Sequence, residues 1–269
     1  VNNSSQSISA FTSDGFTTGN ANPANESAST TLGFMSWNWK AGNSSGSANN
    51  DGSIATTVSV NQTAGFSIFT FTGTGSNGTL GHGLNAVPEM YIIKRYDSSN
   101  NWRVYHKDVG NTAYMTLETN EQYQTSSGFA NNTSPTSSVI SVGNLGSANA
   151  SGGSMLCYAF APKKGYSHFG GYTGNGNADG PFIYTGFKPA FVIVKVKSGV
   201  NNHWFVFDKH RLGYNGANEY IKTDTAETES SSTNRIDFLS NGFKCTTAND
   251  GVNGSGYTYV YWAIADEPL

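Results

Sequence analysis

Two short stretches carry the residue types best suited to holding a neutral ligand: Asn100-Asn101-Trp102 and Asn201-Asn202-His203-Trp204. Each sets side-chain amides beside an indole. An aromatic face stacks on the C–H surface of a sugar ring while amides satisfy its hydroxyls, so the combination points to carbohydrate. The competing expectation is packing, because Trp102 and Trp204 fall at one position of an internal repeat, and a tryptophan shared by two copies also serves a core.

Other chemistry is less well supported. Gly73-Thr74-Gly75-Ser76-Asn77-Gly78 has the dinucleotide-binding spacing and follows a strand pattern, but no helix pattern follows it, and Ile93 stands where an acid would meet the ribose. The related run Gly174-Asn175-Gly176-Asn177-Ala178-Asp179-Gly180 breaks the spacing. Both read as tight loops whose glycines take positive φ, and no cofactor is expected. His82, His106, His168, His203 and His210 have no Cys or His partner at zinc spacing and read as surface or hairpin histidines. Asp179 and Asp250 could lend oxygens to calcium, which needs six or more, but Asn-Asp-Gly strings are ordinary turns, so no metal is expected. No Gly-x-Ser-x-Gly elbow followed by a helix pattern is present. Glu118 and Glu121, or Glu219, Glu227 and Glu229, could pair for glycoside hydrolysis, yet they sit in polar loops without aromatic company. No catalytic residue is assigned, and the chain is not expected to be an enzyme.

The elements that must position these residues read as strands. Short runs rich in aromatic and β-branched residues alternate with period two between Gly, Asn, Asp and Ser clusters. Strands are predicted near Ser67–Thr72, Met90–Tyr96, Trp102–His106, Ala113–Glu118, Ser138–Val142 and Met155–Phe160. A second set is predicted near Ala190–Lys197, His203–Asp208, Glu219–Thr223, Ile236–Leu239, Phe243–Thr246 and Tyr257–Ile264. The runs after Pro88 and Pro189 are nearly continuously apolar, as strands buried on both faces should be, and Pro enters only at their start. A short polar connection then leads to the next strand, which is hairpin chemistry. No segment sustains a helical stripe; Thr223–Glu229 tolerates a helix but is polar on every side and reads as a loop.

The sequence also reads twice. Gly73 answers Gly174 and Pro88 answers Pro189, both at a shift of 101, and Cys157-Tyr158-Ala159-Phe160-Ala161 answers Tyr261-Trp262-Ala263-Ile264-Ala265. A half-length copy opens the chain, with Gly15-Phe16 answering Gly242-Phe243 and Ser36-Trp37-Asn38-Trp39-Lys40 answering the closing strand. A repeat of this length is a duplicated domain, longer than a solenoid unit. The expected organisation is an incomplete repeat plus a Gly/Ser/Asn-rich linker over residues 1–64, and full repeats over 65–164 and 165–269. Ala41–Ala64 reads as flexible, with Ile54–Val60 able to add an edge strand, and the short junction Pro162-Lys163-Lys164 should fix the two repeats against each other. The chain begins with Val1 inside a repeat, so it is read as the C-terminal part of a longer polypeptide. The fold class is all-β: tandem antiparallel β-sandwiches of jelly-roll or lectin-like type.

Composition narrows function. Charged residues are 12% and aromatics 13%, so the surface is neutral and polar. Net charge is −3 with 15 Lys plus Arg and no basic cluster, which leaves no electrostatic footprint for nucleic acid. No apolar stretch approaches a membrane span, so no membrane insertion is expected. Cys157 and Cys245 occupy non-equivalent repeat positions and read as buried small hydrophobes, not a disulfide.

Tyr172-Thr173-Gly174-Asn175-Gly176, Asp179-Gly180-Pro181-Phe182-Ile183-Tyr184-Thr185-Gly186-Phe187, Asp237-Phe238-Leu239-Ser240-Asn241-Gly242-Phe243 and Tyr259-Val260-Tyr261-Trp262-Ala263 resemble a repeat domain of tail-fibre-like structural proteins from marine tailed bacteriophages. Ser36–Gly42 and Asn132–Val139 match the same pattern. The resemblance implies a virion surface location, a tail-fibre or receptor-binding role toward host surface polysaccharide, contacts with other virion proteins, and a homo-oligomer, trimeric by analogy. It supplies no catalytic residues. A capsid or tail decoration protein is the alternative and should gather exposed aromatics on one flat face; a surface-polysaccharide glycosidase is a further alternative and should place paired carboxylates in a groove.

Overall fold

A computed structural model of the chain describes residues 8–12, 15–18, 36–42, 45–211, 215–216, 218–230 and 234–266. It divides into two compact units, Val1–Trp39 and Lys40–Leu269. In the first, β1 (Ile8–Phe11) and β2 (Phe16–Thr18) pair as an antiparallel hairpin. Ser36–Lys40, matched above to the closing strand, is not a strand.

The second unit begins with β3 (Ser47–Asn49), β4 (Thr56–Asn61), β5 (Phe66–Thr72), β6 (Gly78–Gly81), β7 (Met90–Arg95), β8 (Arg103–His106), β9 (Ala113–Thr116) and β10 (Gln124–Thr125). The short helix α1 (Ser127–Ala130), β11 (Val139–Val142), the short helix α2 (Gly146–Asn149) and β12 (Ser154–Phe160) follow. Next come β13 (Ser167–Thr173), β14 (Phe182–Tyr184), β15 (Pro189–Ser198), β16 (Trp204–Asp208), β17 (Ile221–Lys222), β18 (Ile236–Leu239), β19 (Gly242–Cys245) and β20 (Thr258–Ala265). All the strand pairings are antiparallel, so the all-β antiparallel fold class holds.

Two large sheets dominate, ordered β10-β9-β8-β7-β12-β5-β4-β3 and β13-β20-β15-β16-β17. Within the first, β5-β12-β7-β8-β9 follows the same order of chain segments as β13-β20-β15-β16-β17 in the second. Each faces a small sheet, β11-β6 or β14-β19-β18, across its own core. The first core holds Phe69, Tyr91, Ile93, Phe129, Ile140 and Met155; the second holds Val192, Val194, Phe205, Phe243, Tyr259 and Tyr261.

Neither core explains a further set of buried residues. Met90, Val104, Met115 and Phe160 alternate with the first core's residues and so point to the other side of their sheet, as do Phe191, Ile193, Trp204, Val206 and Trp262 in the second, yet all are buried. The two large sheets pack back to back and bury these side chains between them. Phe160 lies against Trp262 at 4.5 Å between ring centroids, and His106 lies against Phe169 at 6.4 Å. This third layer is why the runs after Pro88 and Pro189 are apolar on both faces, and it holds the two halves in one orientation.

The expectation of a flexible linker over Ala41–Ala64 is corrected by β3 and β4. Residues 47–61 extend the first large sheet, and Ile54 and Val58 enter its core. β4 is an interior strand, not an edge, because β3 lies outside it. The alternation of Thr56, Val58 and Val60 with Thr57 and Ser59 buries one side of this segment, a stronger determinant than its Gly/Ser/Asn-rich beginning.

Candidate functional site

The two Asn/Trp stretches sit at the β7–β8 and β15–β16 connections, with Trp204 opening β16, but in different environments. Both hairpins share a construction. A strand lysine reaches the carbonyl of the connecting loop and lies by the indole: Lys94 Nζ donates to Asn100 O, 5.4 Å from the Trp102 ring, and Lys195 Nζ donates to Asn202 O, 6.0 Å from the Trp204 ring. The next strand closes each in the same way, with Leu117 N donating to Trp102 O and Thr223 N donating to Trp204 O. A carboxylate follows in each: Glu118 accepts from Trp102 N at 3.0 Å, and Asp224 pairs with His203 Nδ1 at 2.9 Å.

The second hairpin is sealed by the first half of the molecule. Trp204 is 2% exposed, and its indole N–H donates to Thr116 O at 2.9 Å. Lys195 also donates to Asn120 O at 3.0 Å, and Thr223 Oγ1 donates to Leu117 O at 2.8 Å. Asn201 Oδ1 accepts from Gln122 Nε2 at 3.2 Å, and Gly199 N donates to Gln122 Oε1 at 2.9 Å. Burial lowers the Lys195 pKa to about 8 against the opposing attraction of Asp224 and Glu121. Trp204 is therefore corrected from a ligand-stacking residue to a packing residue, because the third layer takes its ring and its only donor. Asn201, though exposed, bonds across to Gln122, while the Asn202 side chain accepts from His203 N and the His203 ring is held by Asp224 within their own hairpin.

The first hairpin is open. Asn100, Asn101 and Trp102 are all half-buried, and Trp102 stacks on Tyr158 at 6.3 Å and 22°. The loop that caps Lys195 has no counterpart over Lys94 among the described residues. This tip brings together an indole, a phenol, two amides and the Lys94 ammonium. Such a surface can take a neutral ring with hydroxyls.

The remaining candidates disperse. His82 and His106 are corrected from surface residues to buried ones, 0% and 2% exposed. His106 Nδ1 accepts from Asp108 N at 3.2 Å, so Nε2 carries the proton and donates to Tyr261 O at 3.1 Å across the two halves. Burial lowers its pKa to about 4, with the backbone acceptor and Asp108 opposing. His82 is fixed in the same manner, its Nδ1 accepting from Leu84 N and its Nε2 donating to Thr136 O. The acids are tied singly: Glu121 accepts from Gln124, Glu227 pairs with Lys222 and Glu229 with Arg211. Among the described residues, no group of three or more His, Cys, Asp or Glu could hold a metal ion. Cys157 and Cys245 are free and buried.

Gly75 and Gly176 take φ of 70° and 64°, as the tight-loop expectation requires. What fixes these loops was not anticipated. Asn149, fully buried, accepts from Thr74 N at 2.8 Å and donates to Ser76 O and Gly143 O at 2.7 and 2.8 Å. Asn253 does the same in the other half, accepting from Asn175 N and donating to Asn177 O and Thr247 O, each at 2.8 Å. The signal was available, since each precedes its half's closing strand by a few residues, but asparagine is too common in this chain to stand out.

No curated protein and no solved structure matches the chain. A family model matches residues 1–268, covering the N-terminal unit, residues 47–61 and both halves together. The chain belongs to that family, a domain of unknown function, DUF7483.

Proposed function

We propose that this chain is part of a bacteriophage virion surface protein, in a tail-fibre or receptor-binding region, that binds host cell-surface glycan without covalent chemistry. The carrying observation is the unequal use of one hairpin design: the tip with Asn100, Asn101 and Trp102 stays open while its counterpart at Trp204 is sealed. The first indole is free of the duty that fixes the second. Loops on a rigid scaffold suit recognition, and the four-layer packing supplies the scaffold. The low charge fits a ligand without charge of its own. Other virion proteins and further copies of the chain are its partners in this reading, and a trimer would turn weak sites into avidity.

The test is binding of the fluorescently labelled protein to candidate marine host cells, with and without enzymatic stripping of surface polysaccharide. Saturable binding that is lost on stripping and weakened by Trp102→Ala is expected. Binding that survives stripping would reject the glycan.

A decoration protein is the alternative. It would seat its neighbour on Phe182 and Tyr184, exposed together on the outer face of a small sheet. That reading expects the isolated protein to ignore host cells and to rebind particles stripped of it.

A further inference from the structure

Phe182 and Tyr184 are 47% and 63% exposed, the only two large apolar residues among the described ones that are exposed on the same strand face of the Lys40–Leu269 unit. They flank Ile183, which points into the second core. Their strand, β14, is an edge strand paired on one side with β19. Across from Tyr184 in the ladder is Gly242, and a side chain there would meet Phe182 Cε2 at 3.0 Å. The Phe182 ring therefore reaches over the glycine, with Cε2 beside the space a side chain would take.

The fold does not need rings at these positions. In the first half, Thr79 and Gly81 flank the core residue Leu80 as Phe182 and Tyr184 flank Ile183. There the chain's own arm covers the strand: Ser53 N donates to Thr79 Oγ1 at 2.8 Å, Ile54 N to Thr79 O at 3.0 Å, and Thr56 Oγ1 to Gly81 O at 2.8 Å. The Asn49 side chain fills the space a Gly81 side chain would take. Among the described residues the second half has no such arm, since its first strand follows β12 after six residues. Two rings stand instead where the first half is covered by polypeptide.

We infer that Phe182 and Tyr184 form a second carbohydrate-binding plate, which takes the flat apolar face of neutral pyranose units in a polysaccharide. This inference rests on the glycan reading above and adds a site to it on the opposite layer of the molecule. Residues two apart on a strand are about 6.6 Å apart, a span that lets two rings engage one or two sugar units of an extended chain. The rim suits hydroxyls: Ser240 and Asn241 are exposed on the turn that precedes β19, and Lys244, across the ladder from Phe182, is neutralised by Asp179. A protein partner fits less well. Two partly exposed rings offer about 200 Å² of aromatic surface, against roughly 800 Å² per partner in a stable protein interface.

The experiment is affinity electrophoresis of the full chain through gels containing laminarin, galactomannan or dextran, with the native protein, Phe182→Ala/Tyr184→Ala and Trp102→Ala run in parallel. The native protein should be retarded by at least one of these, and the double variant should bind that polysaccharide about tenfold or more weakly, the loss of roughly one ring contact. Phe182→Leu/Tyr184→Leu keeps apolar bulk without flat faces and should lose retardation equally, while Tyr184→Phe should retain it. These conservative variants separate stacking from misfolding. Native-like retardation of the double variant overturns the plate, and if Trp102→Ala is then weakened the hairpin reading stands alone. A native protein retarded by none of the three also overturns it, with the hairpin still judged by the cell-binding assay.

Discussion

The β7–β8 and β15–β16 hairpins are built alike and used differently. Each has a strand lysine bonded to its loop carbonyl, an indole beside it and a carboxylate one residue beyond the bond that closes the hairpin. In the second, three main-chain carbonyls of the first half, at Thr116, Leu117 and Asn120, accept from Trp204, Thr223 and Lys195. In the first, Lys94 and Trp102 retain partial exposure. The lesson is that one local design yields a packing element or a candidate recognition surface according to what lies across from it.

The largest expected effect is a stability difference between the two indoles. Trp204→Ala removes a buried ring and strands the Thr116 carbonyl, and should destabilise by about 3–5 kcal/mol in denaturant unfolding. Trp102→Ala should cost about 1 kcal/mol, as expected for a partly exposed side chain. Equal losses would break the comparison.

The junction should also be sensitive to acid. His106 titrates near 4 in the folded chain and near 6.5 when unfolded, so between these values the unfolded chain binds more protons. Stability should therefore fall as pH drops from about 6.5 to 4, by up to about 3 kcal/mol, with His82 and His168 shifted in the same direction. His106→Gln should flatten this slope when unfolding is measured across the range. A slope unchanged by the substitution would remove His106 as its source.

Alkali separates the two lysines. Lys195 is held near 8 against an ordinary value near 10.5, so the unfolded chain carries more protons between these values and stability should rise with pH there, by about 1–3 kcal/mol. Lys195→Met should abolish that rise, whereas Lys94→Met should leave it in place. The smallest stability effect is expected at Phe182 and Tyr184. Their joint replacement by alanine should change stability by less than about 1 kcal/mol, since both are exposed, and a larger loss would mark the plate as part of the fold.

Much of this was legible. The central strands, the hairpins, the tight loops at Gly75 and Gly176 and the buried cysteines follow from period-two alternation, turn residues and unequal repeat positions. The shorter strands β6 and β14 did not show, because three or four residues beside Gly or Pro carry too little pattern. The arm over residues 47–61 was hidden by its polar beginning, and Lys195 gave no sign of burial because its attraction to two carbonyls and a ring arises only from chain segments distant in sequence. Trp102 and Trp204 could not be told apart, since each follows an Asn-Asn pair and leads into a strand of similar composition.

Local alternation, glycine placement and the double run of similar residues were enough to dictate an all-β chain with two matching sets of strands, because those properties act over a few residues at a time. Which tryptophan is sealed and that His106 is buried were decided only when the two large sheets packed back to back, and which small sheet is left bare for Phe182 and Tyr184 was decided by where residues 47–61 lie. Burial is a property of what arrives from elsewhere in the chain, and no residue's own neighbours in sequence encode it.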